Sequence, residues 1–211
     1  MRDIFSEKFQ LYTAKAITIL FHPLFMPAYG LLIIFTAPTL LFYLPGGIKK
    51  IILLILLINN VLLPLGMILV FRYRNYISSW TMEKNSERIF PLLTVSILYF
   101  ITSFVIIGLS IPLFIKAYFE SVSILSLIIF LINFRYRISV HSAGAGALTA
   151  LVTVLWIVMK ENLVWFLVPV LLISGMILAA RLKLNAHNPQ EVYSGFLVGF
   201  SVVSAAMLFL Q

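Results

Sequence analysis

Long apolar runs, separated by short polar breaks, occupy nearly the whole chain. They cover 24–44, 51–71, 89–111, 118–134, 142–159, 163–180 and 192–210. A helix needs roughly 20 such residues to cross about 30 Å of hydrocarbon. The runs are continuous rather than alternating, which argues against barrel strands of about ten residues. The pattern therefore predicts an all-α, polytopic transmembrane helix bundle of about six to seven spans. Glu120 is the only formal charge inside any run. The first run carries Pro27, Gly30 and Pro38, with His22-Pro23 at its mouth, which predicts a kink or partial insertion. Asn59, Asn60 and Pro64 interrupt the second and predict a helix contact or a local break.

Ahead of these runs the pattern changes. Arg2, Asp3, Glu7, Lys8 and Lys15 alternate with Ile4, Phe5, Phe9, Tyr12, Ala16 and Ile19 at roughly helical spacing. That predicts a short helix lying in the membrane interface rather than a cleavable signal. The expected organisation is an interfacial segment at 1–23 and a transmembrane domain at 24–211.

Composition strengthens this reading. Of 211 residues 62% are hydrophobic and 10% charged, and the mean hydropathy is +1.09. A soluble domain is about 45–50% apolar and about 25% charged. The net charge of +8 therefore marks span ends, not a nucleic-acid-binding module. With no cysteine, thiolate chemistry and thiolate metal sites are excluded.

With seven spans, the loops alternate between two faces. One face, A, receives 1–23, 72–88, 135–141 and 181–191; the other, B, receives 45–50, 112–117, 160–162 and the C-terminus. Face A holds 11 of the 15 lysines and arginines and all three histidines, His22, His141 and His187. Any chemistry belongs on face A. Phe71-Arg72-Tyr73-Arg74 and Phe134-Arg135-Tyr136-Arg137 read as basic and aromatic anchors of span ends, as does Lys183. His22, beside Pro23 and Pro27, reads as structural.

Three face-A loops carry polar constellations. The last runs Arg181-Leu-Lys-Leu-Asn-Ala-His187-Asn-Pro-Gln-Glu191. The middle one reads Arg137-Ile-Ser139-Val-His141-Ser142, followed by small residues up to Gly146. The first ends Glu83-Lys84-Asn-Ser-Glu-Arg88-Ile-Phe-Pro91. In order, these resemble the signatures of the type 2 phosphatidic acid phosphatase superfamily, which includes the vanadium haloperoxidases: Lys-x6-Arg-Pro, Pro-Ser-Gly-His and Ser-Arg-x5-His-x3-Asp. Arg181, His187 and Glu191 fit the third, with Ala180 for Ser and Glu for Asp. Ser139 and His141 fit the second, with Ile138 for Pro and Val140 for Gly. In the first, Arg88 fits, Lys84 lies at the wrong spacing, and Pro91 comes two residues late. The motifs span roughly 84–191.

The resemblance implies a membrane-bound, metal-independent hydrolase with no cofactor, acting on a lipid phosphate or diphosphate in a bacterial cytoplasmic membrane. Undecaprenyl diphosphate, phosphatidic acid, phosphatidylglycerophosphate and a lipid A phosphate are all compatible substrates. Lys84, Arg88, Ser139 and Arg181 would bind phosphate, His187 would attack phosphorus, and Glu191 would orient His187. His141 would protonate the leaving oxygen and later activate water. The opening turn of the helix near Ser142, rich in small residues, would let backbone N–H groups approach the anion. Physical chemistry supports such a set: clustered cations suit a group carrying about two negative charges. Glu191 also reads as the N3 residue of a capping box opened by Asn188. A haloperoxidase is not expected, since the chain is nearly all span, and the histidines lack compact metal-ligand spacing. A lipid-phosphate binder or transporter with altered motifs is the reading from a different class. The basic excess places face A in the cytoplasm, whereas most members of the superfamily act outside it.

Overall fold

The computed structural model describes residues 2–78, 82 and 85–210. Among these the protein is helical, and seven stretches are long and apolar enough to cross a membrane. It is thus an integral-membrane helix bundle, and the many outward-facing large apolar side chains, such as Phe100, Phe104 and Leu172, meet lipid.

Two helices joined by a bend open the chain. Helix α1 (Arg2–Leu20) is followed by an extended His22, a short 3-10 turn and α2 (Met26–Thr36). The apolar stretch at this end runs Glu7–Thr36, across the boundary expected at residue 23, which the structure makes a bend. Tyr29 donates to the Leu20 carbonyl at 2.8 Å and pins that bend. The run at 24–44 is not one helix. Ala37 is extended, as the residue before a proline prefers, and a second 3-10 turn covers Leu40–Tyr43.

The second span is a helix in three parts: α3 (Gly46–Leu56), a π-helical turn (Leu57–Leu62) and α4 (Leu63–Tyr73). Pro64 has no N–H for the Asn60 carbonyl, and the wide turn sits just ahead of it. The Asn60 side chain is buried and accepts a 2.6 Å bond from Thr102 Oγ1. The polar pair expected to make a helix contact does so, through Asn60. Thr102 lies on α5 (Asn85–Ile107), followed by α6 (Leu113–Ile132), α7 (Val140–Met159), α8 (Val164–Lys183) and α9 (Pro189–Phe209).

Helix α7 is the centre of the bundle. It packs on α8, α9 and α2, and Ala143, Ala150, Leu151, Val152 and Leu155 are fully enclosed. Its contact with α9 is made backbone to backbone. A Cβ on Gly199 would fall on the Ala143 carbonyl, and one on Gly146 on the Phe196 carbonyl. Small residues permit such approach where packing, not hydrophobic exclusion, drives helix association. The small residues expected to admit an anion thus serve largely to seat α9.

Candidate functional site

The N-termini of α7 and α9, the C-terminus of α8 and the start of α5 meet at one end of the bundle. Asn188 caps α9: its Oδ1 accepts from Glu191 N at 2.8 Å, and Glu191 Oε2 accepts from Asn188 N at 3.2 Å. The same Oε2 lies 2.7 Å from His187 Nδ1. The carboxylate is therefore both cap and hydrogen-bond partner of His187, so the contacts that each sequence reading of Glu191 needs are present together. A carboxylate oxygen only accepts, so Nδ1 carries the proton and Nε2 keeps its lone pair. Burial pushes the His187 pKa below its ordinary 6.5; the Glu191 hydrogen bond opposes this, while Arg181 and Arg88 add to it. The imidazole is neutral near pH 7, with a nucleophilic nitrogen.

His141 opens α7. Its Nε2 donates to the Thr18 carbonyl of α1 at 3.3 Å, which leaves Nδ1 as the unprotonated nitrogen of the neutral ring. His22 stands edge-on to it, with ring centroids 5.5 Å apart, and accepts from Leu24 N through Nδ1. Both rings line a cavity of about 520 Å³, as do His187, Arg88, Arg137 and Arg181. Below this polar mouth the wall turns apolar and runs into the bundle along Leu92, Val95, Val122, Leu125, Ile129 and Leu148, reaching Tyr99 and Tyr118. Tyr118 donates to the Pro27 carbonyl at 2.9 Å.

The three guanidiniums are poorly satisfied. Arg88 Nη2 donates to the Ile138 carbonyl at 3.0 Å, but Arg88 Nη1, Arg137 Nε and Arg181 Nε are buried with no hydrogen-bond partner among the described residues. A guanidinium has five donors and is always charged, so three of them converging on a cavity suit a multivalent anion. Among the described residues no cluster of three or more His, Asp or Glu side chains has the arrangement of a metal site.

Of the residues picked from sequence, His187, Glu191, His141, Arg88 and Arg181 come together here. Lys84 lies outside the described residues. Ser139 does not line the cavity. It is fully buried as the N-cap of α7, and its Oγ accepts from Ser142 N at 3.4 Å and from Ser142 Oγ at 3.0 Å. The cap uses the oxygen that was expected to meet phosphate. Two wall residues were read otherwise from sequence. His22 was taken as structural, though a His-Pro pair at a break between helices aims a ring off the helix axis. Arg137 was taken as an anchor, though it sits just ahead of a Ser N-cap and four residues before His141. Compared with known proteins, the chain matches no family, no curated protein and no solved structure.

Proposed function

We propose that this protein is a lipid phosphate or lipid diphosphate phosphatase of a bacterial cytoplasmic membrane, working through a phosphohistidine. One observation carries the reading: a neutral His187, aligned by Glu191, stands beside three under-satisfied guanidiniums at the mouth of an apolar chamber. A free phosphate ester needs no chamber, and a plain lipid needs no guanidiniums; a lipid phosphate uses both.

His187 Nε2 attacks phosphorus, the P–N bond forms, and the bond from phosphorus to the lipid or diphosphate oxygen breaks. The leaving oxygen takes its proton from His141. Arg88 and Arg181 hold the non-bridging oxygens, where charge accumulates in transfer. Water then attacks the phosphohistidine, gives its proton to His141, and releases phosphate, restoring His187. Delivery of the first proton requires His141 to be protonated at Nδ1 or to release Thr18. That engagement favours the second reading, a lipid-phosphate binder or transporter.

Purified protein given a panel of lipid phosphates and diphosphates, with a chelator present, tests this. Metal-independent phosphate release, inhibition by vanadate and an acid-labile phosphoenzyme absent from His187→Ala are the expected results. Release by folded His187→Ala at the wild-type rate rules out the phosphohistidine mechanism, and no release by the wild-type chain from any lipid of the panel leaves a binder.

A further inference from the structure

Arg135 and Arg137 lie two residues apart in the loop joining α6 to α7, and only their surroundings separate them. Arg135 is exposed. Arg137 is half-buried, lines the cavity, and holds an Nε shut off from solvent without a hydrogen-bond partner among the described residues. Its neighbour Ile138 is fully buried and accepts from Arg88 through its carbonyl, so a single residue ties the two arginines into one unit. Arg137 acts electrostatically on both Arg88 and Arg181. Glu191, the carboxylate that acts on Arg88, is already engaged by His187 and by Asn188 N, and Glu87 is engaged by Ser78.

Three like charges gathered around a cavity, with donors turned away from water, repel one another and forgo hydrogen bonds. A structural role leaves the buried Nε of Arg137 unpaired among the described residues and the repulsion unrelieved. An anion answers both. We propose that Arg137 is a third ligand of the bound phosphoryl group, gripping one phosphoryl dianion together with Arg88 and Arg181. The three cations, offset by Glu191, leave two positive charges, the complement of an ionised phosphomonoester. This rests on the phosphate-binding reading of the cavity, and it assigns a residue that the motif resemblance leaves out.

The test uses the full chain in detergent and two probes, inorganic phosphate and orthovanadate, with affinity read from thermal stabilisation against ligand concentration. Arg137→Gln should weaken binding of both probes about 10- to 100-fold, and Arg137→Lys about tenfold, because an ammonium lacks the planar fork. Arg135→Gln should bind within about twofold of wild type. Without ligand, Arg137→Gln should melt at or above the wild-type temperature, since it relieves repulsion; loss of a structural anchor has the opposite sign. Wild-type binding by Arg137→Gln, alongside lost binding by Arg181→Gln, overturns the role of Arg137 and leaves the site reading standing. Marked destabilisation of ligand-free Arg137→Gln overturns it too, by making the residue structural. If the wild-type chain itself is stabilised by neither probe, the cavity is not a phosphate site and both readings fall.

Discussion

Glu191→Gln separates the two jobs of one oxygen. In the protein, Oε2 accepts from His187 Nδ1 at 2.7 Å and from Asn188 N at 3.2 Å. A glutamine oxygen in the same place accepts both bonds. The alternative flip would set the amide NH₂ against two donors, so the neighbouring backbone N–H holds the amide in register. The His187 tautomer is then retained, and the variant loses only charge. A hydrogen bond to a charged group contributes about 1.5–3 kcal/mol and a neutral one about 0.5–1.5. The difference, about 1–1.5 kcal/mol, falls on the step in which His187 becomes cationic and predicts roughly a tenfold drop in turnover. A flipped amide would fix the wrong tautomer, with a loss of about 10⁴-fold. The assay is phosphate release from the preferred lipid, with phosphoenzyme trapping and thermal melting in parallel. Melting should be nearly unchanged because the capping box survives. Turnover within twofold of wild type would show that Glu191 is a cap alone, and the orienting role would be wrong.

The pH profile carries a second prediction. In the proposed mechanism the nucleophile is the neutral imidazole of His187, and burial holds its pKa below 6.5, so the acid limb of kcat/KM should inflect below 6.5; an inflection at or above that value contradicts the assignment. Because Glu191 opposes the shift, Glu191→Gln should move the limb further toward acid. His141→Ala should accumulate an acid-labile phosphoenzyme from a substrate with an acidic leaving group, since attack proceeds while hydrolysis lacks its base; rapid dephosphorylation in that variant would assign the base elsewhere. Gly199→Ala drives a methyl into the Ala143 carbonyl and should reduce both folded yield and turnover, whereas Gly175→Ala, which meets nothing within 4 Å, should be neutral; equal effects would remove the α7–α9 contact from the account.

The spans were legible because hydrocarbon thickness imposes one length on every run, and α5 to α9 lie where apolar runs place them. Where backbone chemistry, not hydropathy, decides, the prolines carried the signal: α2 ends just before Pro38 and a π turn precedes Pro64, at the kink and the local break that those residues predicted, although neither the end of α2 nor the π geometry is written in the apolar runs. The loop motifs were legible because their spacing is measured along single helix ends: His187 and Glu191 are four residues apart and meet across one turn. His22 and Arg137 were not, because what brings them to the cavity is packing between distant segments: the Thr18–His141 bond on one side and the Arg88–Ile138 bond on the other. The placement of Ser139 was not legible because a hydroxyl at a helix start fits a cap and an anion equally well, and only its burial as the N-cap of α7 separates the two.

The close seating of α9 on α7 and the lining of the cavity have different freedom to vary. At Gly146 and Gly199 main-chain atoms of one helix touch those of the other, so an added carbon there displaces a helix. The cavity lining along Val122, Leu125 and Ile129 of α6 and Val95 of α5 is made of apolar side chains. Exchanging one of them for a larger or smaller one resizes the cavity and leaves the α7–α9 seam untouched. On the proposed lipid-phosphate reading, a change of tail preference would therefore be within reach of single substitutions.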